Sequence, residues 1–265
     1  MRESVRQAVS FIHRNYTEPI TLSDISSEVF VSPFHFSRLF AQDIGISPGR
    51  YLGAVRMFEA KRLLVESSMN ICDIVHSVGY SSVGTFTSRF TRLVGMSPRE
   101  YRKPQVGRLM VAASKDFTRM PRPVELAGLH ASAPRTAAPG TGCVRGLIEF
   151  PRPVPDGQVL VGVYAADVPQ GRPVAYRVLP TAERMPFAVD GTPPGEWSLV
   201  ALAVRNGTVT GGEAMIGSLP RRVTVRRDTN TWTRLSMRRM KATDVPLAVT
   251  LAPAPAAARA SLACG

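Results

Sequence analysis

The sequence repeats an eighteen-residue pattern at an offset of fifty residues. Residues 35–52 are "HFSRLFAQDIGISPGRYL" and residues 85–102 are "TFTSRFTRLVGMSPREYR". Because each copy has its own apolar face, the repeat requires two small hydrophobic cores within one helical segment. The identical pairs are Phe36/Phe86, Phe40/Phe90, Gly45/Gly95, Ser47/Ser97, Pro48/Pro98 and Tyr51/Tyr101.

Residues 1–103 have the apolar periodicity and the start and stop signals of about seven helices. Each copy of the repeat predicts a short helix, a tight turn and a second helix. The predicted pairs are Leu22–Val29 with Pro33–Asp43, and Ile71–Val78 with Ser82–Val94. This is the helix-turn-helix arrangement, whose second helix can enter the major groove of DNA.

A long helix predicted from about Pro48 to Glu66 connects the two copies. At 1.5 Å per residue, such a helix is roughly 28 Å long. Successive major grooves on one face of B-DNA are about 34 Å apart. We therefore expect one rigid helix to hold two recognition helices about one turn of DNA apart.

The composition changes after residue 103. Residues 104–141 are rich in Pro, Ala and Gly and are predicted to be a linker. Residues 142–251 contain short apolar runs separated by turn sequences such as "PDG" and "DGTPPG", which predict an antiparallel β-sandwich. Residues 252–265 are predicted to be a disordered tail. The expected fold is multidomain: an all-α N-terminal domain with two helix-turn-helix units, and an all-β C-terminal sandwich.

Residues 1–103 resemble the DNA-binding domain of the AraC/XylS family of transcription regulators. The resemblance is carried by "VSPFHFSRLFAQDIGISPGRYLGAVRMFEAKRLL" in the first copy and "VGYSSVGTFTSRFTRLVGMSPREYR" in the second. It implies a sequence-specific regulator that binds double-stranded promoter DNA and acts through RNA polymerase. It covers about 40% of the chain.

The resemblance also implies which side chains face the DNA. In the first copy these are Phe34, Ser37 and Arg38, and His35 is either a phosphate contact or a solvated surface residue. The second copy lacks the arginine that is common at the position of Ser88. The residue after it, Arg89, is predicted to extend from a half-buried site to a phosphate. The second set of candidates is Val83, Gly84, Thr85, Thr87, Ser88 and Arg89.

The repeated aromatic residues are predicted to be core residues rather than stacking platforms for bases. The glycines of the repeat are predicted to end helices, and its serines to cap helix N-termini. The aromatic set is Phe36, Phe40, Tyr51, Phe86, Phe90 and Tyr101.

Charge and cysteine content limit the class of protein. The net charge of +13 favours an anionic partner, although a GC-rich genome would give the same excess of arginine. The three cysteines form neither a disulfide framework nor a zinc site, and no cofactor or metal is predicted. The sequence predicts no signal peptide and no membrane association, and therefore a cytoplasmic, nucleoid-associated protein.

The predicted sandwich resembles, more weakly, the prealbumin-like or carboxypeptidase-regulatory-like fold, through "PFAVDGTPPGEWSLVA" and "RRVTVRRDTNTWTRLSM". Two of its strands are apolar on both faces, although a two-layer sandwich needs only one apolar face per sheet. The spare face would pair subunits, dock a partner, line a pocket for a small-molecule effector, or be covered by the linker or tail. Its residues are Leu160, Tyr164, Val200, Leu202 and Val204.

The sequence leaves other functional classes open. A non-catalytic DNA-tethered interaction protein, a DNA-binding protein without specificity and an enzyme with a DNA-targeting domain are the alternatives. Residues 142–251 contain no histidine and no catalytic constellation, so no catalytic residue is predicted and the enzyme is disfavoured. Members of the family usually place the effector domain before the DNA-binding domain, and the opposite order here puts a sugar pocket in doubt.

Overall fold

A computed structural model describes residues 1–132, 138–152, 154, 156–210 and 213–253. The described chain forms two compact units. The helical unit consists of Met1–Pro104 and Ala242–Leu247, and the strand-rich unit consists of Gln105–Lys241 and Ala248–Pro253. The multidomain class predicted from the sequence is confirmed.

Seven helices form in the described residues 1–103, as predicted. Both short–long helix pairs of the repeat are present, and the connecting helix has 19 residues. The helices are α1 (Glu3–Asn15), α2 (Leu22–Glu28), α3 (Pro33–Ile44), α4 (Pro48–Glu66), α5 (Ile71–Ser77), α6 (Val83–Val94) and α7 (Pro98–Tyr101).

Local sequence signals set the ends of these helices. Gly45 and Gly95 end α3 and α6 in the left-handed region, with φ of 88° and 84°, which glycine adopts without steric cost. The side chain of Ser47 accepts a hydrogen bond from the backbone N–H of Arg50, and Ser97 forms a capping box with Glu100. The glycine and serine roles predicted from the repeat are therefore confirmed.

The two copies of the repeat build two equivalent aromatic cores. In the first, the ring centroids of Phe36 and Phe40 are 5.6 Å apart, and those of Phe40 and Tyr51 are also 5.6 Å apart. The matching distances in the second core, from Phe86 to Phe90 and from Phe90 to Tyr101, are 5.5 and 5.4 Å. All six side chains have 0% exposure, which confirms their prediction as core residues.

Helix α4 is buried around most of its circumference, and not along a single stripe as a surface helix would be. It contributes Tyr51 to the first core and contacts α3, α5 and α7. The Tyr51 hydroxyl lies 3.1 Å from Nε2 of His13 and donates a hydrogen bond of 3.3 Å to the carbonyl oxygen of Asp244. The returning segment Ala242–Leu247 is thus part of the helical unit.

Two further helices and thirteen strands follow in the described residues. The helices are α8 (Pro104–Gly107) and α9 (Pro123–Ser132). The strands are β1 (Met110–Ala113), β2 (Phe117–Met120), β3 (Gly142–Glu149), β4 (Gly157–Tyr164), β5 (Ala175–Pro180), β6 (Arg184–Thr192), β7 (Gly195–Arg205), β8 (Gly207–Thr210), β9 (Met215–Ser218), β10 (Val223–Val225), β11 (Asn230–Ser236), β12 (Arg238–Arg239) and β13 (Leu247–Thr250).

Two sheets of the strand-rich unit share one hydrophobic core. One sheet has the order β12-β9-β7-β4-β5, with β10 also paired to β7, and the other has the order β11-β3-β6. Side chains from both sheets, such as Val161 and Phe187, belong to the same buried cluster. The arrangement is not wholly antiparallel. Strand β10 pairs with β7 in the first sheet, and the next strand, β11, lies in the second sheet and pairs with β3 in parallel. The likeness to a prealbumin-like sandwich stays a prediction.

The prediction of a linker over 104–141 is wrong for the described part of that segment. It contains α8, β1, β2 and α9, and the strands β1 and β2 belong to a third sheet with the order β13-β1-β2-β8. All four residues of β1, "MVAA", are buried. The structure describes the predicted tail only to residue 253. Ala252 is buried, so the prediction of disorder is wrong at the start of the tail, and from residue 254 onward it lies outside the described residues.

The spare apolar face of the sandwich is covered within the chain. Strand β2 of the third sheet contacts β7, so part of the predicted linker packs against this sheet. Because these side chains are buried in the folded chain, they cannot contact a partner, and the prediction of a dimer or docking surface at this face is corrected. The exposures are 1% for Leu160, 5% for Tyr164, 7% for Val200, 4% for Leu202 and 0% for Val204.

None of the described helices combines the length and the apolar character that a membrane-spanning segment requires.

The fully buried Lys61 of α4 gives a pH-dependent stability. Burial lowers the pKa of Lys61 from its usual value of 10.5 to about 7. Between pH 7 and 10.5 the unfolded chain binds a proton at this site that the folded chain does not bind. The free energy of unfolding therefore rises with pH across this window.

Replacing Lys61 with methionine is expected to remove this dependence. The change in the free energy of unfolding caused by Lys61→Met should be more favourable at pH 6.5 than at pH 9.5 by on the order of 1–3 kcal/mol, because only the unchanged protein must release a proton from this buried site. Chemical denaturation at both pH values checks the difference. Lys103 is exposed, so Lys103→Met is the matched control and should change the free energy of unfolding at neither pH. Equal effects of Lys61→Met at both pH values would contradict the lowered pKa of Lys61.

Candidate nucleic-acid interface

Helix α3 presents the predicted contact residues of the first copy on its outer side. Phe34, His35 and Arg38 are exposed, and Ser37 is half-buried. Among the residues that the structure describes, the Arg38 guanidinium has no ion-pair or hydrogen-bond partner. An unpaired arginine on the leading half of an exposed helix is suited to a bidentate contact with guanine.

Helix α6 presents a smaller and less charged set of side chains. Gly84, Thr85 and Ser88 are exposed, while Val83 and Thr87 are half-buried. The helix is capped by Ser82, whose side chain accepts a hydrogen bond of 3.3 Å from the backbone N–H of Thr85. Hydroxyl and methyl groups of this kind can contact either phosphates or thymine methyl groups, but they discriminate among bases less strongly than arginine.

The single carboxylate on the two recognition helices is neutralised within the chain. Asp43, near the end of α3, accepts hydrogen bonds of 2.6 Å from the backbone N–H and from Nη1 of Arg2. Its side chain is only 13% exposed. Neither helix therefore offers an uncompensated negative charge to DNA, which favours approach of a polyanion.

Arg89 lies on the side of α6 that faces α4. It is half-buried, and a Cβ atom added to Gly53 would lie 2.6 Å from Nη2 of Arg89. The guanidinium also lowers the pKa of Tyr80, which burial otherwise raises. The guanidinium thus lies in the space that Gly53 leaves open on α4, and the contact of Arg89 with a DNA phosphate stays a prediction.

Arg56 of α4 connects the end of α1 with the turn before α6. Its Nε donates to the carbonyl oxygen of Tyr16 at 2.7 Å, and its Nη2 donates to the carbonyl oxygen of Glu18 at 2.6 Å. The same guanidinium lies 5.8 Å from the centroid of the Tyr80 ring, in cation–π geometry. The end of α1 and the start of the second recognition region are thus held by one side chain.

The turn between α2 and α3 contains a residue that the sequence pattern did not single out. Phe30 is 97% exposed and has a φ of 53°. Its counterpart in the second copy is Gly79, with a φ of 82°. A side chain at Gly79 would clash with the carbonyl of Tyr16 and with Arg56, whereas the first turn is open to solvent. The signal in the sequence was a phenylalanine at the turn position that holds glycine in the other copy.

No group of three or more His, Cys, Asp or Glu side chains that could hold a metal ion occurs among the residues described by the structure.

Comparison with known proteins matches the helical part of the chain. The family model described as a helix-turn-helix domain matches residues 25–104. The lactose operon transcription activator of Staphylococcus xylosus is 37% identical over 102 residues, which are 38% of this chain and 37% of that protein. The melibiose operon regulatory protein of Escherichia coli (strain K12) is 31% identical over 99 residues, which are 37% and 33% of the two chains.

Among solved structures, the C-terminal domain of AraT, a response regulator from Geobacillus stearothermophilus, is similar to the chain. Its sequence identity is 32% and its TM-score is 0.38, and the match covers 38% of this chain and 85% of that one.

The chain spans less than two fifths of the length of these two curated relatives. Residues 25–104 are an AraC-type helix-turn-helix domain, and the relatives that share it are transcriptional regulators.

The contacts of Arg56 predict that its loss destabilises the helical unit, because it removes the link between the end of α1 and Tyr80. Arg56→Met leaves the carbonyl groups of Tyr16 and Glu18 without their donor and should lower the free energy of unfolding by about 1–3 kcal/mol. Denaturant unfolding followed by circular dichroism measures the change. Arg62→Met is the matched control on the same helix. Arg62 forms ion pairs with the nearby Glu59 and Glu66, so its loss should cost a few tenths of a kcal/mol. Equal costs for the two variants would contradict the connecting role of Arg56.

Proposed function

We propose that this chain is a sequence-specific regulator of transcription that places α3 and α6 in adjacent major grooves of promoter DNA. The observation that carries the proposal is the pair of outward-facing helices joined by the buried helix α4. A spacing of about one DNA turn is what a connecting helix of 19 residues, roughly 28 Å long, can support. RNA polymerase is the partner expected for such a regulator in the cytoplasm.

The two helices are proposed to contribute unequally to sequence preference. Helix α3 carries an exposed arginine, a histidine and a phenylalanine at its leading half, so it supplies the more specific contacts. Helix α6 carries glycine, threonine and serine at the equivalent positions, and Arg89 is engaged on α4. The second helix is therefore proposed to contribute mainly positioning contacts and recognition of DNA shape.

The strand-rich unit is proposed to be a non-catalytic effector-binding or docking module. Its two sheets share one buried hydrophobic core, and the face first predicted for docking is buried, so a ligand or partner would bind elsewhere on this unit. The absence of histidine from 142–251 supports a role without histidine-based catalysis.

Selection of bound sequences from random double-stranded DNA by the intact chain tests the proposal. The expected product is a site with two conserved segments about 10 base pairs apart, with stronger preference in one segment. A selected pool that does not differ from the starting pool would contradict sequence-specific binding.

Arg38 is expected to account for preference at one base position. Arg38→Ala should weaken binding to the selected site by roughly 1–3 kcal/mol, because an arginine paired with guanine contributes that much discrimination. Fluorescence anisotropy with the selected duplex and with a duplex changed at that position measures both affinity and preference.

Arg6→Ala provides the control for the loss of one positive charge. Arg6 is an exposed arginine on α1 of the same unit and forms an ion pair with Glu3. Its loss should change affinity less than twofold. If Arg38→Ala weakens binding equally to every duplex, Arg38 is a phosphate contact and the proposed base contact is wrong.

A further inference from the structure

Phe30 is the most exposed large apolar side chain that the structure describes, and its backbone is in the left-handed region. Its exposure is 97% and its φ is 53°. The Cβ atom of phenylalanine makes this backbone conformation unfavourable, whereas glycine adopts it without steric hindrance. The hydrogen bonds of the turn nevertheless match those of the second copy. The N–H of Val31 donates to the carbonyl of Ser26, as the N–H of Tyr80 donates to the carbonyl of Val75.

Folding of the turn does not require this side chain. Glycine occupies the equivalent position in the second copy, and the ring of Phe30 is almost fully accessible to solvent. The residue therefore combines an unfavourable backbone with an unburied ring, and it lies in a turn rather than in a core. A strained residue that contributes nothing to packing is an observed outlier from which a functional role can be inferred.

The surroundings of Phe30 favour DNA as the group that covers the ring. Phe34, four residues later at the start of α3, is itself 77% exposed. No acidic residue occurs between Glu28 and Asp43, and Arg38 supplies a positive charge on the same helix. The leading end of a recognition helix is the part that contacts base edges, and the C5-methyl group of thymine is the apolar feature of the major groove.

We propose that Phe30 and Phe34 form an apolar edge that contacts thymine methyl groups beside the first recognition helix. This inference rests on the proposed function and deepens it, because it names a base preference for α3. Arg38 would supply the polar contact and the two rings the apolar contacts of one bipartite recognition surface. The second copy, with Gly79 and Gly84 at the equivalent positions, has no such edge.

Substitutions at Phe30 separate recognition from stability. Phe30→Gly should raise the Tm by about 4 °C, because it relieves the backbone, and should weaken binding to the selected duplex by roughly 3–10-fold. Phe30→Asn, which tolerates the left-handed region and lacks a ring, should weaken binding similarly. Phe30→Tyr keeps the ring and should bind within twofold of the unchanged protein. Binding by Phe30→Gly at the level of the unchanged protein would overturn the proposal and would leave a protein partner as the group that covers the ring.

Replacing thymidine with deoxyuridine in the selected duplex tests the methyl contact directly. Removing the methyl groups from the segment contacted by α3 should weaken binding by the unchanged protein more than binding by Phe30→Gly, because Phe30→Gly keeps only the Phe34 ring to contact them. The same replacement in the other segment is the control and should affect both proteins equally. A selected segment without thymine, or equal loss for both proteins in the first segment, would overturn the proposal. If the unchanged protein selects no sequence at all, the proposed function itself fails, and the two failures are thereby distinguished.

Discussion

Burial of helix α4 is the constraint on which the arrangement of the helical unit depends. A helix exposed on one side could tilt or rotate relative to its neighbours, but α4 is enclosed around most of its surface and contacts α3, α5 and α7. Its first turn supplies Tyr51 to one aromatic core, and Arg56 near its middle bonds to the end of α1 and lies against Tyr80. Because tightly packed interiors resist small displacements, the spacing between the two recognition helices is fixed by packing.

The same scaffold supports two different recognition helices. The repeated aromatic residues, the glycines in the left-handed region and the serine caps hold each copy in the same geometry. The differences lie where the cores do not constrain the side chain. The first copy has Phe30, Phe34 and Arg38 at exposed positions, and the second turn has no room for a side chain at Gly79. A shared core with divergent outer residues gives the two recognition helices the same geometry and different exposed side chains.

The helical unit could be predicted from the sequence because its signals are local and occur twice. The Ser-Pro starts, the terminal glycines and the phenylalanine spacing each specify a feature within a few residues. The strand-rich unit could be predicted only in outline. The buried strand "MVAA" lacks alternation because both of its faces are covered, and its partners β8 and β13 are distant in sequence. Strand alternation did not predict the burial of Leu160 and Tyr164, and the parallel pairing of β11 with β3 depended on a crossover between sheets.

The candidate site was predictable to the extent that the two copies could be compared. Exposure of Phe34 and Arg38 follows from helical periodicity once the core residues are assigned. The position of the Arg89 guanidinium beside Gly53 was not predictable, because it depends on how α6 packs on α4. The exposure of Phe30 was also missed, because a phenylalanine in an apolar stretch is more often buried than exposed.

The affinity of the intact chain for a selected DNA site with inserted base pairs measures whether α4 holds the two recognition helices at a fixed spacing. Five inserted base pairs between the two conserved segments should reduce the affinity to that of a single segment. Ten inserted base pairs should do the same, because α4 cannot lengthen to span a second turn of DNA (about 34 Å). Retention of the original affinity with 10 inserted base pairs would show that the two recognition helices move independently, and would contradict the fixed spacing attributed to α4.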